Sequence, residues 1–329
     1  LRSEGLFVEL GAYNLHVFVD FRELREDEHR PLKQLAAHLS GRGVPSVEDA
    51  LGRWVMSPVL GPFRRLLRQV ETETAAGLPP TAEADLAAFL KAVAARCGGA
   101  DRVAMVGEAV SAELEAVFDL SELVPAWREE SGAELKKAAD ALSVALDDTK
   151  RRLALRAWIL VHRLGELAGE DDALERARSW LGEWFLGATL ADLLVEGGAG
   201  AEAARRAAAA VDLMIACEGW TAESTGGLPF HRLLEKLFAS PAGQRFLGVH
   251  RHRDVLWFNR EAFHQMLDWL LLERSLEEVV GARAEAAAGL AAAHQELEEL
   301  AAAGEETGWR VDNFLDAIQA ERNGRDTAR

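Results

Sequence analysis

The sequence predicts a mainly α protein: an irregular multi-helix array with an N-terminal β-hairpin stub and a short internal hairpin near 246–258. Three observations predict it. Apolar residues recur at helical spacing through most of the chain after residue 28. Strand-like patterning is confined to the first twenty-two residues and to that internal segment. Glycine, proline and small capping residues punctuate the helical runs at intervals suited to globular helices. Composition agrees, because 329 residues that are 49% hydrophobic and 28% charged can bury a core and are too apolar for a disordered chain.

Residues 1–22 stand apart from the rest. Segments 5–10 and 15–21 alternate, with Gly11-Ala12-Tyr13-Asn14 between them, and Leu15, Val17, Val19 and Phe21 would share one strand face. Two strands are marginal alone in water, so 1–22 reads as the terminal strands of an upstream β-sandwich and 23–329 as a helical C-terminal domain. After Arg25-Glu26-Asp27-Glu28 the period becomes helical. Ser46-Val47-Glu48-Asp49 has the form of a capping box and opens a helix with Ala50, Leu51, Trp54 and Val55 on its apolar side. Gly61-Pro62 is expected to stop one helix and start the next, since proline's missing N–H is harmless in a first turn. Leu78-Pro79-Pro80-Thr81 is the next expected break, with Thr81 capping a helix through Leu86, Phe89, Leu90 and Val93 that Gly98-Gly99 ends.

Further helices are expected over 103–118, 134–146, 149–167, 173–194, 201–216, 230–238, 261–280 and 285–306, of which 173–194 is the most plainly amphipathic. Gly197-Gly198-Ala199-Gly200 is a candidate subdomain seam at 197–200, and the polar tail 322–329 is expected to fray. Phe246-Leu247-Gly248-Val249-His250 and Val255-Leu256-Trp257-Phe258 are β-prone runs on either side of Arg251-His252-Arg253-Asp254, a pattern that predicts a tight hairpin. Asn259 then caps the next helix, with Glu261 in its first turn.

Charge excludes some functions. With 37 basic and 54 acidic residues the chain carries −17, which repels phosphate backbones and anionic lipid surfaces, so neither nucleic acid nor membrane is an expected partner. Apolar runs fall short of the ~18 residues of a spanning helix. Cys97 and Cys217 lie in apolar, helical stretches and suit a reducing, cytoplasmic compartment.

Candidate chemistry is sparse. His252-Arg253-Asp254 with Asn259 matches the catalytic loop of a protein kinase, but the glycine-rich loop, strand lysine and D-F-G are missing and Leu256 stands where a basic residue belongs. His250 and His252 would share a strand face near His264, Asp254 and Glu261, yet without a second ligand pair of recognised spacing no metal is expected. The acidic groups at 26–28, 147–148 and 170–172 sit beside helix ends, where carboxylates favour the helix dipole or solvate the surface. A G-x-S-x-G elbow is missing as well. No catalytic residue and no cofactor is therefore expected.

Nine tryptophans accompany one tyrosine. Trp54, Trp158, Trp180, Trp184 and Trp269 fall on apolar helix faces, whereas Trp220, Trp257 and Trp309 are candidates for stacking on a sugar ring. The candidate interface or glycan contact is accordingly His250, His252, Arg253, Asp254, Trp257 and Asn259.

Gly5-Leu6-Phe7-Val8-Glu9-Leu10-Gly11-Ala12-Tyr13-Asn14-Leu15-His16-Val17-Phe18-Val19-Asp20-Phe21-Arg22-Glu23 resembles the closing β-strands that follow the catalytic barrel in the α-amylase superfamily, glycoside hydrolase family 13. Leu39-Ser40-Gly41-Arg42-Gly43-Val44-Pro45-Ser46-Val47-Glu48-Asp49-Ala50-Leu51 resembles the helical C-terminal extension of some large bacterial members. So does Phe246-Leu247-Gly248-Val249-His250, continuing through Val255-Leu256-Trp257-Phe258-Asn259-Arg260-Glu261-Ala262-Phe263. The resemblance implies a non-catalytic C-terminal region of a glycoside hydrolase acting on α-glucans. Its partners would be the upstream catalytic and β-sandwich domains of the same chain, with α-glucan as a ligand. That family's aspartate nucleophile, acid glutamate and second aspartate stand on a (β/α)₈ barrel. None of those motifs has a counterpart here, so no catalytic residue carries over. Two alternatives stand beside it: an independent helical scaffold or adaptor that binds another protein through an exposed apolar patch, and an autonomous enzyme, which would need a pocket of convergent polar groups such as a deep cleft around His250 to Asn259.

Overall fold

The computed structural model describes residues 26, 31–69, 80–129, 132–169, 171–218 and 230–327. The hairpin expected within 1–22 and Trp220 lie outside them. Among the described residues the fold is mainly α, with one two-stranded antiparallel hairpin. The chain divides between Val55 and Met56 into two compact units.

In the first unit, α1 (Leu32–Leu39) ends at Ser40 in the left-handed region, φ 46°, and α2 (Val47–Val55) follows. The Ser46 hydroxyl accepts the Asp49 N–H at 3.1 Å, as the capping sequence predicts. The His38 ring lies 4.4 Å from that of Trp54.

The second unit starts with α3 (Ser57–Arg68), which runs straight through Gly61-Pro62 instead of breaking there. Pro58 occupies the first turn, where no N–H is needed, and burial of Val59, Phe63, Leu66 and Leu67 outweighs the single backbone bond that Pro62 forgoes. α4 (Pro80–Cys97) begins at Pro80, so Thr81 stands inside the helix and not at its cap. Its end is the expected one: Gly98 has φ +82°, and its N–H reaches Ala94 O at 2.8 Å. α5 (Val103–Glu129) is eleven residues longer than expected and passes through Pro125, because the buried stripe Val110, Leu114, Leu120, Val124 and Trp127 continues beyond Phe118. α6 (Ala133–Asp147) turns at Asp148, whose carboxylate caps α7 (Thr149–Val161) by accepting the Lys150 N–H at 2.9 Å.

α7 is buried on every side from Ala154 to Val161, the mark of a central helix. It ends earlier than expected, and a 3-10 turn, Leu164–Leu167, continues the chain. Gly165 packs against the backbone of Ala173 so closely that a Cβ would meet the Ala173 carbonyl oxygen at 1.8 Å. The expected helix over 173–194 is two helices, α8 (Ala173–Glu183) and α9 (Leu186–Glu196). Phe185 takes the left-handed conformation, φ 60°, between them, and the indoles of Trp180 and Trp184 stack at 4.3 Å.

α10 (Ala201–Cys217), α11 (Phe230–Ala239) and α12 (Pro241–Phe246) follow; α12 was not expected, though Ser240 caps it by accepting the Gly243 N–H at 3.0 Å. α13 (Arg260–Ala282) is the second central helix and packs on α5, α6, α10 and α14 (Ala286–Glu306). α15 (Val311–Thr327) carries the polar tail in helical form through Thr327. No helix among the described residues is long and apolar enough to cross a membrane.

Candidate functional site

Between α12 and α13 the chain forms the hairpin. β1 (His250–His252) pairs antiparallel with β2 (Val255–Trp257), placing His250 opposite Trp257, Arg251 opposite Leu256 and His252 opposite Val255. The connection is shorter than expected: Arg253 and Asp254 alone form the turn, at φ 47° and 63°, the left-handed pair that a two-residue primed turn needs. Phe246 ends α12 in place of starting a strand, and Gly248, φ 62°, redirects the chain.

The base of the hairpin is fixed on all sides. Asn259 N–H reaches Leu247 O at 2.8 Å, Phe258 N–H reaches Trp309 O at 3.0 Å, and Trp257 forms a bridge with Arg310. The Arg310 guanidinium lies 4.9 Å over the Trp257 ring. Beneath, the Phe258 ring meets Phe238, Phe263, Trp309 and Phe314 at centroid distances of 5.0, 5.2, 5.4 and 5.2 Å, a compact aromatic platform.

The six sequence-predicted residues therefore separate. His250, His252, Arg253 and Asp254 are exposed together at the tip. Trp257 is half-buried under Arg310, and Asn259 spends its side chain as a cap, Oδ1 accepting the Ala262 N–H at 2.8 Å. His264 is on the platform side, its ring 5.7 Å from that of Trp309. Among the described residues there is no group of three histidine, cysteine, aspartate or glutamate side chains able to hold a metal ion.

A second constellation was missed by sequence reasoning. His162, 2% exposed, sits between two carboxylates: Nε2 is 2.6 Å from Glu113 Oε2, and Nδ1 is 3.1 Å from Glu218 Oε2. Arg163 Nε donates to the other Glu113 oxygen at 2.7 Å and Arg163 Nη1 to Glu166 at 3.0 Å. Trp158 stacks on the imidazole at 4.3 Å. Burial opposes charge on His162, but the carboxylates of Glu218 and Glu113 outweigh it and hold its pKa up to about 10. Burial likewise opposes charge on Glu113, and the His162 and Arg163 cations overcome it, lowering its pKa.

This arrangement is a buried ion cluster. With a carboxylate within hydrogen-bond distance of each ring nitrogen, the geometry favours the imidazolium form of His162, in which both nitrogens donate. A cavity of about 230 Å³ beside it is walled on the far side by Leu276, Val280 and Gly281 of α13. The cluster ties α5, the end of α7 and the end of α10 together around that space. The signal in the sequence was a histidine–arginine pair inside the apolar run 158–167; buried ionisable groups must be paired, although nothing local says with what.

A wider cleft of about 690 Å³ opens between α3, α7 and α9, with Leu67, Leu193 and Leu194 on its floor. On its rim Glu196 is held by Arg64 and Arg68, which keep its carboxyl below the usual range. Cys217 is buried, and burial, reinforced by Glu273, pushes its thiol up, so it is no nucleophile. Comparison with family models, with curated proteins and with solved structures yields no match.

Proposed function

We propose that this chain is the non-catalytic helical C-terminal region of an α-amylase-like glycoside hydrolase acting on α-glucans, where it packs on the catalytic part and shapes access of the glycan. The reading rests on the resemblance at 5–23, 39–51 and 246–263. The observation that supports it best is the behaviour of the last of these. The stretch 246–263 holds the end of α12, the hairpin and the start of α13, and the hairpin's base is bonded to Leu247 and to Trp309 and Arg310 just before α15 while its tip is exposed. An element so fixed and so placed suits contact with a neighbour.

Reducing-sugar release from soluble starch tests it, measured for the product of the complete gene and for this chain by itself. The complete product should hydrolyse starch and this chain should not. A complete product inert toward α-glucans, or hydrolysis by this chain alone, would overturn the reading.

A further inference from the structure

The cavity of about 230 Å³ beside His162 has two unlike walls. One is apolar, made by Leu276, Val280 and Gly281 of α13, and Val280 stands 46% exposed there, as few large aliphatic side chains of the described residues do. The other is polar, and its charges are already paired: Glu113 and Glu218 with His162 and Arg163, and Glu277 with Arg274. What that wall retains is hydrogen-bonding capacity. Glu218, partly exposed, gives Oε2 to His162, and its Oε1 accepts from no group among the described residues. Arg163, also partly exposed, gives Nε to Glu113 and Nη1 to Glu166, which leaves Nη2 as a spare donor. Trp158 lines the same cavity, and its buried indole N–H has no hydrogen-bond partner among the described residues. A buried donor left in that state is uncommon and calls for an acceptor.

We infer that this cavity is a binding site for one hexose ring, the glucose unit of an α-glucan, held between the apolar wall of α13 and the spare groups of Glu218 and Arg163. A small ion of either sign would find the opposite charges already engaged with each other. A wholly apolar molecule would strip water from Glu218 and Arg163 and return no hydrogen bond. A pyranose ring satisfies both walls, because its C–H face can rest on Leu276 and Val280 while its hydroxyls, each a donor and an acceptor, meet the carboxylate and the guanidinium. Size agrees: benzene fills a cavity of about 150 Å³, so the larger volume here admits one six-membered ring with its hydroxyls. The hexose chemistry follows from the cavity alone, and the choice of glucose rests on the α-glucan reading above.

Maltose is titrated into isotope-labelled protein, and the Trp158 indole N–H, the Arg163 side-chain N–H, the Val280 methyls and the Gly281 amide are followed by NMR. Saturable shifts of these signals at millimolar maltose are expected. Arg163→Lys keeps the charge beside Glu113 but loses the planar fork, and should weaken binding by about tenfold or more, the worth of one hydrogen bond to a charged group. Val280→Asp sets a charge in the apolar wall at an exposed position outside the ion cluster, and should weaken binding as much. Val144→Asp, 69% exposed on α6, should bind as the parent does. Amide spectra unchanged away from the cavity show that the variants fold. Silence of the four signals, binding that survives both cavity variants, or acetate or methylammonium moving the same signals in place of maltose would overturn the site. Maltose binding here without starch hydrolysis by the complete product would strike the α-amylase reading alone, and hydrolysis without binding would strike this site alone.

Discussion

Glu113 and His162 show how single residues carry weight here. Each is buried, and each is tolerable only because the other is present: Glu113 accepts from His162 and Arg163 at 2.6 and 2.7 Å. Glu113→Gln keeps the shape and removes the charge, leaving His162 with only Glu218 and Arg163 with only Glu166 as counterions. Breaking a buried pair from one side destabilises by about 3–5 kcal/mol. Urea unfolding should report a loss of that size, and the His162 ring should titrate at lower pH. Replacement with no loss would mean that water already solvates the cluster. At the other extreme is Asp254, exposed at φ 63°. Asp254→Gly relieves about 1–2 kcal/mol of left-handed strain and adds about 0.5–1 kcal/mol of unfolded-chain entropy, so stability should rise slightly. A fall in the unfolding midpoint would show that the aspartate side chain stabilises the turn.

At the scale of elements, two glycines predict opposite outcomes. Gly165 touches the backbone of Ala173, where a Cβ would lie 1.8 Å from a carbonyl oxygen that cannot swing aside. Gly165→Ala forces the 3-10 turn away from α8 and should destabilise by about 3 kcal/mol, the upper part of the overpacking range. Gly182, inside α8, has nothing within 4 Å of its absent Cβ, so Gly182→Ala should stabilise by about 0.5–1 kcal/mol. Thermal unfolding of the two variants checks both signs at once. The same contrast explains what could be read from the sequence. Caps made by local hydrogen bonds, at Ser46 and Asn259, or by glycine at Gly98, were visible because their chemistry lies within a few residues. The break at Phe185 was not, because a bulky aromatic takes the left-handed conformation there and only the surrounding packing can enforce it. Pro62 misled in the reverse sense: local chemistry argued for a stop, and burial along the same face carried the helix through. The hairpin was legible as an element, but its two-residue turn was not, since Arg-Asp is not a sequence that announces positive φ. The His162 cluster was illegible because its carboxylates lie 49 and 56 residues away along the chain.

For the whole molecule, that cluster predicts how stability depends on pH. His162 binds its proton more tightly in the fold than the ordinary 6.5, up to about 10, because Glu218 and Glu113 together outweigh the burial that opposes the charge. A raised histidine pKa contributes stability that is fully present below 6.5 and is lost as pH rises through about 10. Glu113 has the opposite linkage. Burial raises its pKa, His162 and Arg163 lower it by more, and its contribution is present above the ordinary 4.5 and lost as pH falls below it. Stability should therefore be greatest between about 4.5 and 6.5 and decline on both sides. The alkaline decline is diagnostic, yet at −17 general charge repulsion also grows with pH, and the two causes must be separated. Salt separates them: a Debye length of about 3 Å at 1 M screens surface repulsion but barely reaches a pair with His162 2% exposed. Urea midpoints measured from pH 4 to 10 should still fall above 6.5 in about 1 M salt, and His162→Gln should abolish that limb while lowering stability throughout. A midpoint that stays level from 6.5 to 10 in high salt would mean that the folded protein holds His162 neutral, and the ion clamp joining α5, α7 and α10 would then be an ordinary hydrogen bond.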